Sequence, residues 1–266
     1  MRVSNGCAAG PVAGLVAALS AALAVPGDAE AGAWPQKKRE GLLLTGFSWH
    51  WLDAPGGSSV TKTEYSFYGE YGLTDRITLI GRMAFQSLEE TRSSGEDEAL
   101  ANALFAIGGT EAALRLRLAS HERWMLSGQV LTTFRTGGEN RINARFGTGG
   151  GDVELRALLG RSIGEDGFAD IQIARRDRAD RSAAEWRMDV TFGTAITDRW
   201  RIMAQTFSLQ AEARPDAAGY DGHRAQLSVI YDMPSGFSVS LSALGTLSAR
   251  NLAEERAALF SLWRRF

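Results

Sequence analysis

The chain has 266 residues, 44% of them hydrophobic, and its 29 Lys and Arg against 31 Asp and Glu leave no charge surplus to drive nucleic-acid binding. No stretch after residue 31 reaches the roughly 18 consecutive apolar residues of a membrane-spanning helix, so any insertion into a bilayer would have to use closed strands. The single cysteine, Cys7, lies in the extreme N-terminal segment, which excludes redox and thiolate-metal chemistry from the rest of the chain.

In chain order, the first element reads as a secretory signal. Arg2 precedes an Ala-, Val- and Leu-rich run over residues 8–25, and Ala29-Glu30-Ala31 has the small-x-small form that signal peptidase cuts. Cleavage is predicted after Ala31, so that residues 1–31 are the signal peptide and residues 32–266 the mature domain. A retained membrane helix is the competing reading, but Pro11 and Pro26 break the run and no basic stop-transfer flank follows. Cys7 would leave with the signal.

The mature chain then reads as short segments in which apolar and polar residues alternate, the period-two signature of a strand with two unlike faces. Strands are predicted to begin near Gly41, Val60, Ile77, Thr110, Arg123, Gly151, Phe168, Ala183, Trp200, His223, Phe237 and Glu255. In the clearest, Trp186, Met188, Val190 and Phe192 alternate with Glu185, Arg187, Asp189 and Thr191. Two more segments repeat the pattern: Val153, Leu155, Ala157 and Leu159 against Asp152, Glu154 and Arg156, and Ala112, Leu114, Leu116 and Leu118 against Glu111, Arg115 and Arg117.

A soluble sandwich could show the same alternation strand by strand. The connections separate the two readings. Those at 74–76, 120–122, 164–167, 197–199 and 234–236 are tight, whereas longer polar or Gly-rich stretches lie near 53–59, 89–109, 136–150, 178–182, 211–222 and 250–254. Bacterial barrels have short periplasmic turns and longer outer loops, so this rhythm predicts an all-β, antiparallel, up-and-down transmembrane barrel of twelve strands with both ends in the periplasm. Two tight turns read almost alike, around Thr74-Asp75-Arg76 and Thr197-Asp198-Arg199, with the Asp expected to nucleate each turn through its own backbone. Trp49, Trp51, Tyr65, Tyr71, Trp124, Trp186, Trp200, Tyr231, Trp263 and Phe266 fall near strand ends, where they would form the two aromatic girdles of such a barrel.

With apolar faces toward lipid, Glu64, Glu70, Arg82, Glu111, Arg115, Arg117, Asp152, Glu154, Arg156, Glu185, Arg187, Asp189 and Arg224 are predicted to line the lumen. Twelve strands spaced by roughly 4.8 Å and tilted by about 40° give a backbone radius of about 12 Å, narrow once Arg and Glu side chains are subtracted. A small-solute channel and a structural plug of ion pairs stand level, and no long insertion suggests a separate plug. Three histidines remain, His50, His121 and His223; Ser48 shares a face with His50, and Asp221 lies two residues before His223, which leaves a rim hydrolase as a remote alternative.

No spacing of His, Cys or carboxylates makes a metal site, although the acidic run Glu96-Asp97-Glu98 could hold divalent cations weakly. The Gly-rich residues 147–152 run into a strand rather than the helix a phosphate cradle requires, and no cofactor is predicted. At the C-terminus, Phe260, Leu262 and Phe266 share an apolar face with Ala258, as the strand read by the barrel-assembly machinery does. Arg264 departs from the aromatic or aliphatic residue usual there, but a long Arg can snorkel to headgroups.

Gly32-Ala33-Trp34-Pro35, the runs YGLTDRITL at 71–79, GDVELRALLGRS at 151–162 and AEWRMDVTFG at 184–193, and the terminal LFSLWRRF together resemble proteobacterial outer-membrane barrels. Among these they are most similar to the group labelled after the MetA pathway of phenol degradation, loosely related to porin-like and hydrophobic-compound transporters. The resemblance implies an outer-membrane location and uptake of small, aromatic or hydrophobic solutes, and it carries no catalytic residues across. The partners expected are outer-membrane lipid, the assembly machinery and small solutes.

Overall fold

The computed structural model describes residues 32–54, 58–92, 106–134, 151–178, 183–215 and 218–266. The proposed signal with Ala29, Ala31 and Cys7, and the acidic run at 96–98, lie outside the described residues. The regular structure is twelve strands: β1 (Gly41–Asp53), β2 (Ser58–Thr74), β3 (Ile77–Arg92), β4 (Ala106–His121), β5 (Trp124–Phe134), β6 (Val153–Ile163), β7 (Gly167–Asp177), β8 (Glu185–Ala195), β9 (Trp200–Ala211), β10 (Tyr220–Asp232), β11 (Phe237–Arg250) and β12 (Glu254–Arg265). Each pairs antiparallel with its chain neighbours, and β12 returns to β1, so the sheet is a closed barrel without edges.

Closure is made at the last residue. Gly41 N–H donates to the Phe266 carbonyl at 2.8 Å and Phe266 N–H donates back at 3.1 Å. The Phe266 ring occupies the space that a Cβ on Gly41 would take, so the terminal aromatic and the glycine fit one another.

The alternation in sequence becomes two faces of the wall. Along β8, Glu185, Arg187 and Thr191 are buried, whereas Trp186, Met188 and Phe192 are exposed. Because a period of two is locked to the pleat, one residue of slip would invert every face, and the polar/apolar contrast therefore holds the register all round. Phe260 and Phe266 stand on the outward face of β12 with Leu262 half-buried, and Arg264 lies over the Phe237 ring at 4.5 Å while donating to the Ser235 carbonyl. Trp263 corrects the predicted girdles: it is 1% exposed and points inward, one position out of phase with Phe260, Leu262 and Phe266.

The start of β1, the end of β12 and the tight turns lie at one end of the barrel, the turn end, and the strand ends that the longer connections join lie at the other, the loop end. Gly164 and Gly236 take positive φ (64° and 78°) in two of the tight turns, where a side chain would be strained. In the two similar turns the capping group is threonine, not aspartate. Thr74 Oγ1 accepts from Arg76 and Ile77 N–H at 3.1 and 3.0 Å, and Thr197 Oγ1 from Arg199 and Trp200 N–H at 3.3 and 3.1 Å. Asp75 is thereby free to accept from Lys38 N–H at 3.0 Å, tying down the residues that precede β1.

Candidate functional site: the barrel lumen

Three groups of residues fill the lumen. The first is a connected set of ion pairs on β2 through β8. Glu64 on β2 pairs with Lys62 at 3.3 Å and with Arg82 on β3 at 2.9 Å, and Arg82 reaches Glu111 on β4 at 3.8 Å. Arg176 on β7 spans from Glu111 (3.8 Å) to Glu154 on β6 (3.0 Å), so the set crosses the lumen without following β5. Glu154, wholly buried, also takes Arg156 at 2.9 Å and Arg187 on β8 at 3.9 Å. Arg156 continues to Asp189 at 2.5 Å, and Arg187 to Glu185 at 2.5 Å, where Arg178 and the Tyr220 hydroxyl also bind. Nearer the turn end, Arg115 bridges to Glu70 at 3.2 Å, skipping β3.

Desolvating so many charges is costly, and the set holds because each carboxylate meets at least one cation, with charge-assisted hydrogen bonds at Glu64, Glu154, Glu185 and Asp189 and longer ion pairs at Glu111. Of the charged residues named from sequence, Glu64, Glu70, Arg82, Arg115, Glu154, Glu185, Arg187 and Arg224 are buried, and Glu111, Arg156 and Asp189 are half-buried within the same set. Two sit apart. Arg117 is half-buried where the β4–β5 register shifts, and Asp152 is buried just before β6, bonded through its backbone to Thr133. Lys62, Arg176, Arg178, Tyr220 and Glu255 were missed; for Arg176 the signal was present, since Asp170, Gln172, Ala174 and Arg176 follow the period of two.

The second group, on β9 to β12 and β1, is mostly uncharged apart from the Arg224–Glu255 pair. Phe207, Leu244 and Ala257 form an apolar cluster with Leu259 packed on it, beside Gln205, Gln226 and Ser228. The lumen therefore has one densely charged wall and one mostly uncharged, partly apolar wall. Near the loop end of this wall Ser48 Oγ lies 2.8 Å from His50 Nε2, and His50 Nδ1 lies 2.6 Å from Glu255 Oε1, with Arg224 on Glu255 Oε2 at 2.6 Å. The acid lacking in sequence for Ser48 and His50 is thus supplied by β12, roughly 200 residues away, in the order of a nucleophile–base–acid relay. The ladders to β2 and β12 flank Ser48 on both sides, so no pair of free backbone amides stands by to hold an oxyanion, and Ser48 is itself 3% exposed. His223 is exposed and bonds Ser208, Asp221 is taken by Arg250 at 2.5 Å, and His121 is exposed beside Glu122, so none joins a second such relay.

The third group closes the lumen at the turn end and was not foreseen as a plug. Leu42, Leu44, Phe168, Met203, Ile230 and Trp263 form one buried cluster. β1 and β7 are diametrically opposed in a twelve-strand cylinder, so a layer holding Leu44 and Phe168 crosses the whole lumen. Trp34, from the segment at residues 32–40 that precedes β1, packs into that layer with Tyr68. The segment is held by Gln36 N–H on Thr78 Oγ1 (2.8 Å), Gln36 Nε2 on Glu70 (2.7 Å), Arg115 on the Trp34 carbonyl (3.3 Å) and Ser127 Oγ on the Ala33 carbonyl (2.5 Å). Its seat is made by glycines: a Cβ at Gly160 would collide with the Trp34 ring, and one at Gly72 with the backbone of Gln36 and Lys37.

No protein-family model matches the chain, and no curated protein matches it in sequence. Solved structures do match, and they are outer-membrane barrels. The COG4313 outer-membrane channel from Pseudomonas putida F1 is 16% identical, with a TM-score of 0.69 over 88% of this chain and 98% of its own. The NanC porin is 10% identical, with a TM-score of 0.56 over 83% and 98%, and the KdgM porin 7% identical, with a TM-score of 0.52 over 84% and 99%. At these identities the likeness is one of fold: this chain has the closed twelve-strand architecture.

Proposed function

We propose that the protein is an outer-membrane barrel of a Gram-negative bacterium that passes small solutes through a lumen gated at its periplasmic end by residues 32–40. Support for the membrane comes from the outward face. Leu114, Leu155, Ile173, Leu227 and Leu241 are among many large apolar side chains left exposed there, a band far beyond the few hundred Å² that a soluble monomer leaves bare. Trp49, Trp51 and Trp186 ring the loop end of that band and Tyr71, Trp124, Trp200 and Phe266 the turn end, and strands of 11 residues tilted by about 40° span about 28 Å, the height of a hydrocarbon core. The face formed by Phe260, Leu262 and Phe266 is the one the assembly machinery would read.

The observation that carries transport is the nature of the seal. A barrel built only to be solid could fill its lumen with side chains from its own strands. Here the strand layer of Leu42, Leu44, Phe168, Met203, Ile230 and Trp263 is completed from outside the sheet by the turn-containing segment 32–40, seated on Gly72 and Gly160 and held by a handful of hydrogen bonds. Withdrawing it would take Trp34 out of that layer and loosen the seal beneath a lumen with Glu64, Arg82, Glu111, Glu154, Arg156 and Asp189 on one side and Phe207 and Leu244, beside the Arg224–Glu255 pair, on the other. Such a two-sided lumen suits solutes with one polar and one apolar flank, in line with the aromatic compounds that the resemblance to the phenol-degradation group implies.

The test is conductance in planar bilayers and solute flux into liposomes for the mature chain and for a form lacking residues 32–39. The deletion is expected to raise both conductance and flux over the mature chain, because it removes Trp34 from the sealing layer. Silence of both would overturn transport and favour the second reading, a sealed structural or surface-interaction barrel, for which the continuous ion pairs across β2 to β8 speak. The Ser48–His50–Glu255 relay is read as part of that lattice, joined to it through Lys62 opposite His50.

A further inference from the structure

In reverse order, the segment before β1 climbs from the rim toward the middle of the lumen. Arg39 N–H meets the Gly72 carbonyl at 2.8 Å, Gln36 meets Thr78, Trp34 and Ala33 lie on Gly160, and Gly32 rests against the Gln172 side chain on β7. Beyond Gln172 the way is filled: Arg156 Nη1 bonds Gln172 Oε1 at 2.6 Å and Asp189 at 2.5 Å, with Glu154 and Arg187 behind it.

Beside Gln172 on the same inward face is Asp170, directly across the β6–β7 ladder from Gly160. It is 4% exposed, and its Oδ1 accepts from Gln172 Nε2 at 3.0 Å. Its Oδ2 has no hydrogen-bond partner, and among the described residues no cation bonds it. A buried carboxylate oxygen left open in this way calls for a donor, and preferably a charged one. Gly32 rests on Gln172, the partner of Asp170, and its backbone nitrogen has a charge set by processing. Within the intact precursor it is an amide with one N–H. Hydrolysis of the Ala31–Gly32 bond by signal peptidase consumes one water and leaves a carboxylate on Ala31 and an ammonium, with three donors, on Gly32.

We propose that Asp170 and Gln172 form a capture site for the α-ammonium of Gly32, so that removal of the signal peptide creates the group that locks the segment into the lumen. The proposal rests on cleavage after Ala31, and on the transport reading only for its effect on conductance. Export and closure would then be coupled: a barrel acquires its seal when its own N-terminus is released.

The test uses protein purified from outer membranes. Mass spectrometry is expected to find Gly32 as the first residue, and limited acetylation at neutral pH is expected to modify its amine at least about tenfold more slowly in the folded barrel than in Asp170→Asn, as loss of a buried ion-pair partner implies. Folding of each form is checked by heat-dependent mobility on gels. A second form with two extra residues before Gly32, refolded in detergent, keeps Asp170 intact and should lose the protection in the same way. A different N-terminus, or equal acetylation in wild type, Asp170→Asn and the extended form, would overturn the capture site. Protection at Gly32 in a barrel that remains silent in bilayers would uphold the site and remove only the transport reading.

Discussion

Gly160→Ala is the smallest perturbation that separates the seal from the wall. Gly160 sits in β6 opposite Met125 and Asp170 with no left-handed backbone to strain, so alanine costs the ladder nothing. Its Cβ, however, would stand 2.8 Å from the Ala33 Cβ and run into the Trp34 ring. Forcing one methyl into a packed contact costs about 1–3 kcal/mol, and here that cost falls on the docked segment alone. The ratio of undocked to docked segment should rise roughly fivefold to 150-fold, read as open probability in planar bilayers. Gly81→Ala is the matched control, since a Cβ there meets nothing within 4 Å. In a Trp34→Ala background most of the Gly160→Ala effect should vanish, because its main collision partner is gone. If Gly160→Ala conducts like wild type and like Gly81→Ala while its barrel folds normally, the reasoning that the segment gates the lumen is refuted.

Other outcomes follow from the same geometry. Glu154→Gln leaves Arg156, Arg176 and Arg187 facing one another around a neutral amide and should lower stability against urea in detergent by about 3–5 kcal/mol; a loss under 1 kcal/mol would mean the charges are hydrated rather than paired. Leu227→Arg, on the outward face near the middle of β10, should cost about 2–4 kcal/mol in bilayers and leave conductance of the folded fraction unchanged. Phe266→Ala should reduce assembly in cells, whereas Trp263→Ala, which empties a lumen site, should assemble normally and raise leak conductance; equal assembly defects would deny the division of β12 into an outward signal and an inward seal. Ester hydrolysis by the purified barrel, if present at all, should be the same in His50→Ala and His223→Ala; a loss confined to His50→Ala would restore the hydrolase reading.

Strand number, strand order and the polarity of the wall are local properties, and a period of two with alternating tight and long connections was enough to read them. Four strands begin at the predicted residue, whereas among the predicted girdle residues Tyr65 stands at mid-strand opposite Phe47 and Trp263 points inward. The error at Trp263 is instructive: in β12 an aromatic at either parity satisfies strand propensity, and the need for an inward Trp exists only once Leu42, Leu44 and Phe168 leave a hole to fill. The charged faces were legible for the same reason, as single faces.

What no local pattern could supply was which face meets which across the lumen. Glu255 reaches His50 because closure brings the last strand beside the first, and Arg176 reaches Glu111 across two intervening strands because the wall curves. Residues 32–40 carry no alternation and were given no element of their own within the mature domain, yet their place was decided by space that Gly72 and Gly160 leave open inside the cylinder. The sequence by itself determined a barrel and its inside; only the tertiary structure decided that the inside is shut, because a plug is defined by the volume it fills and not by a period of its own.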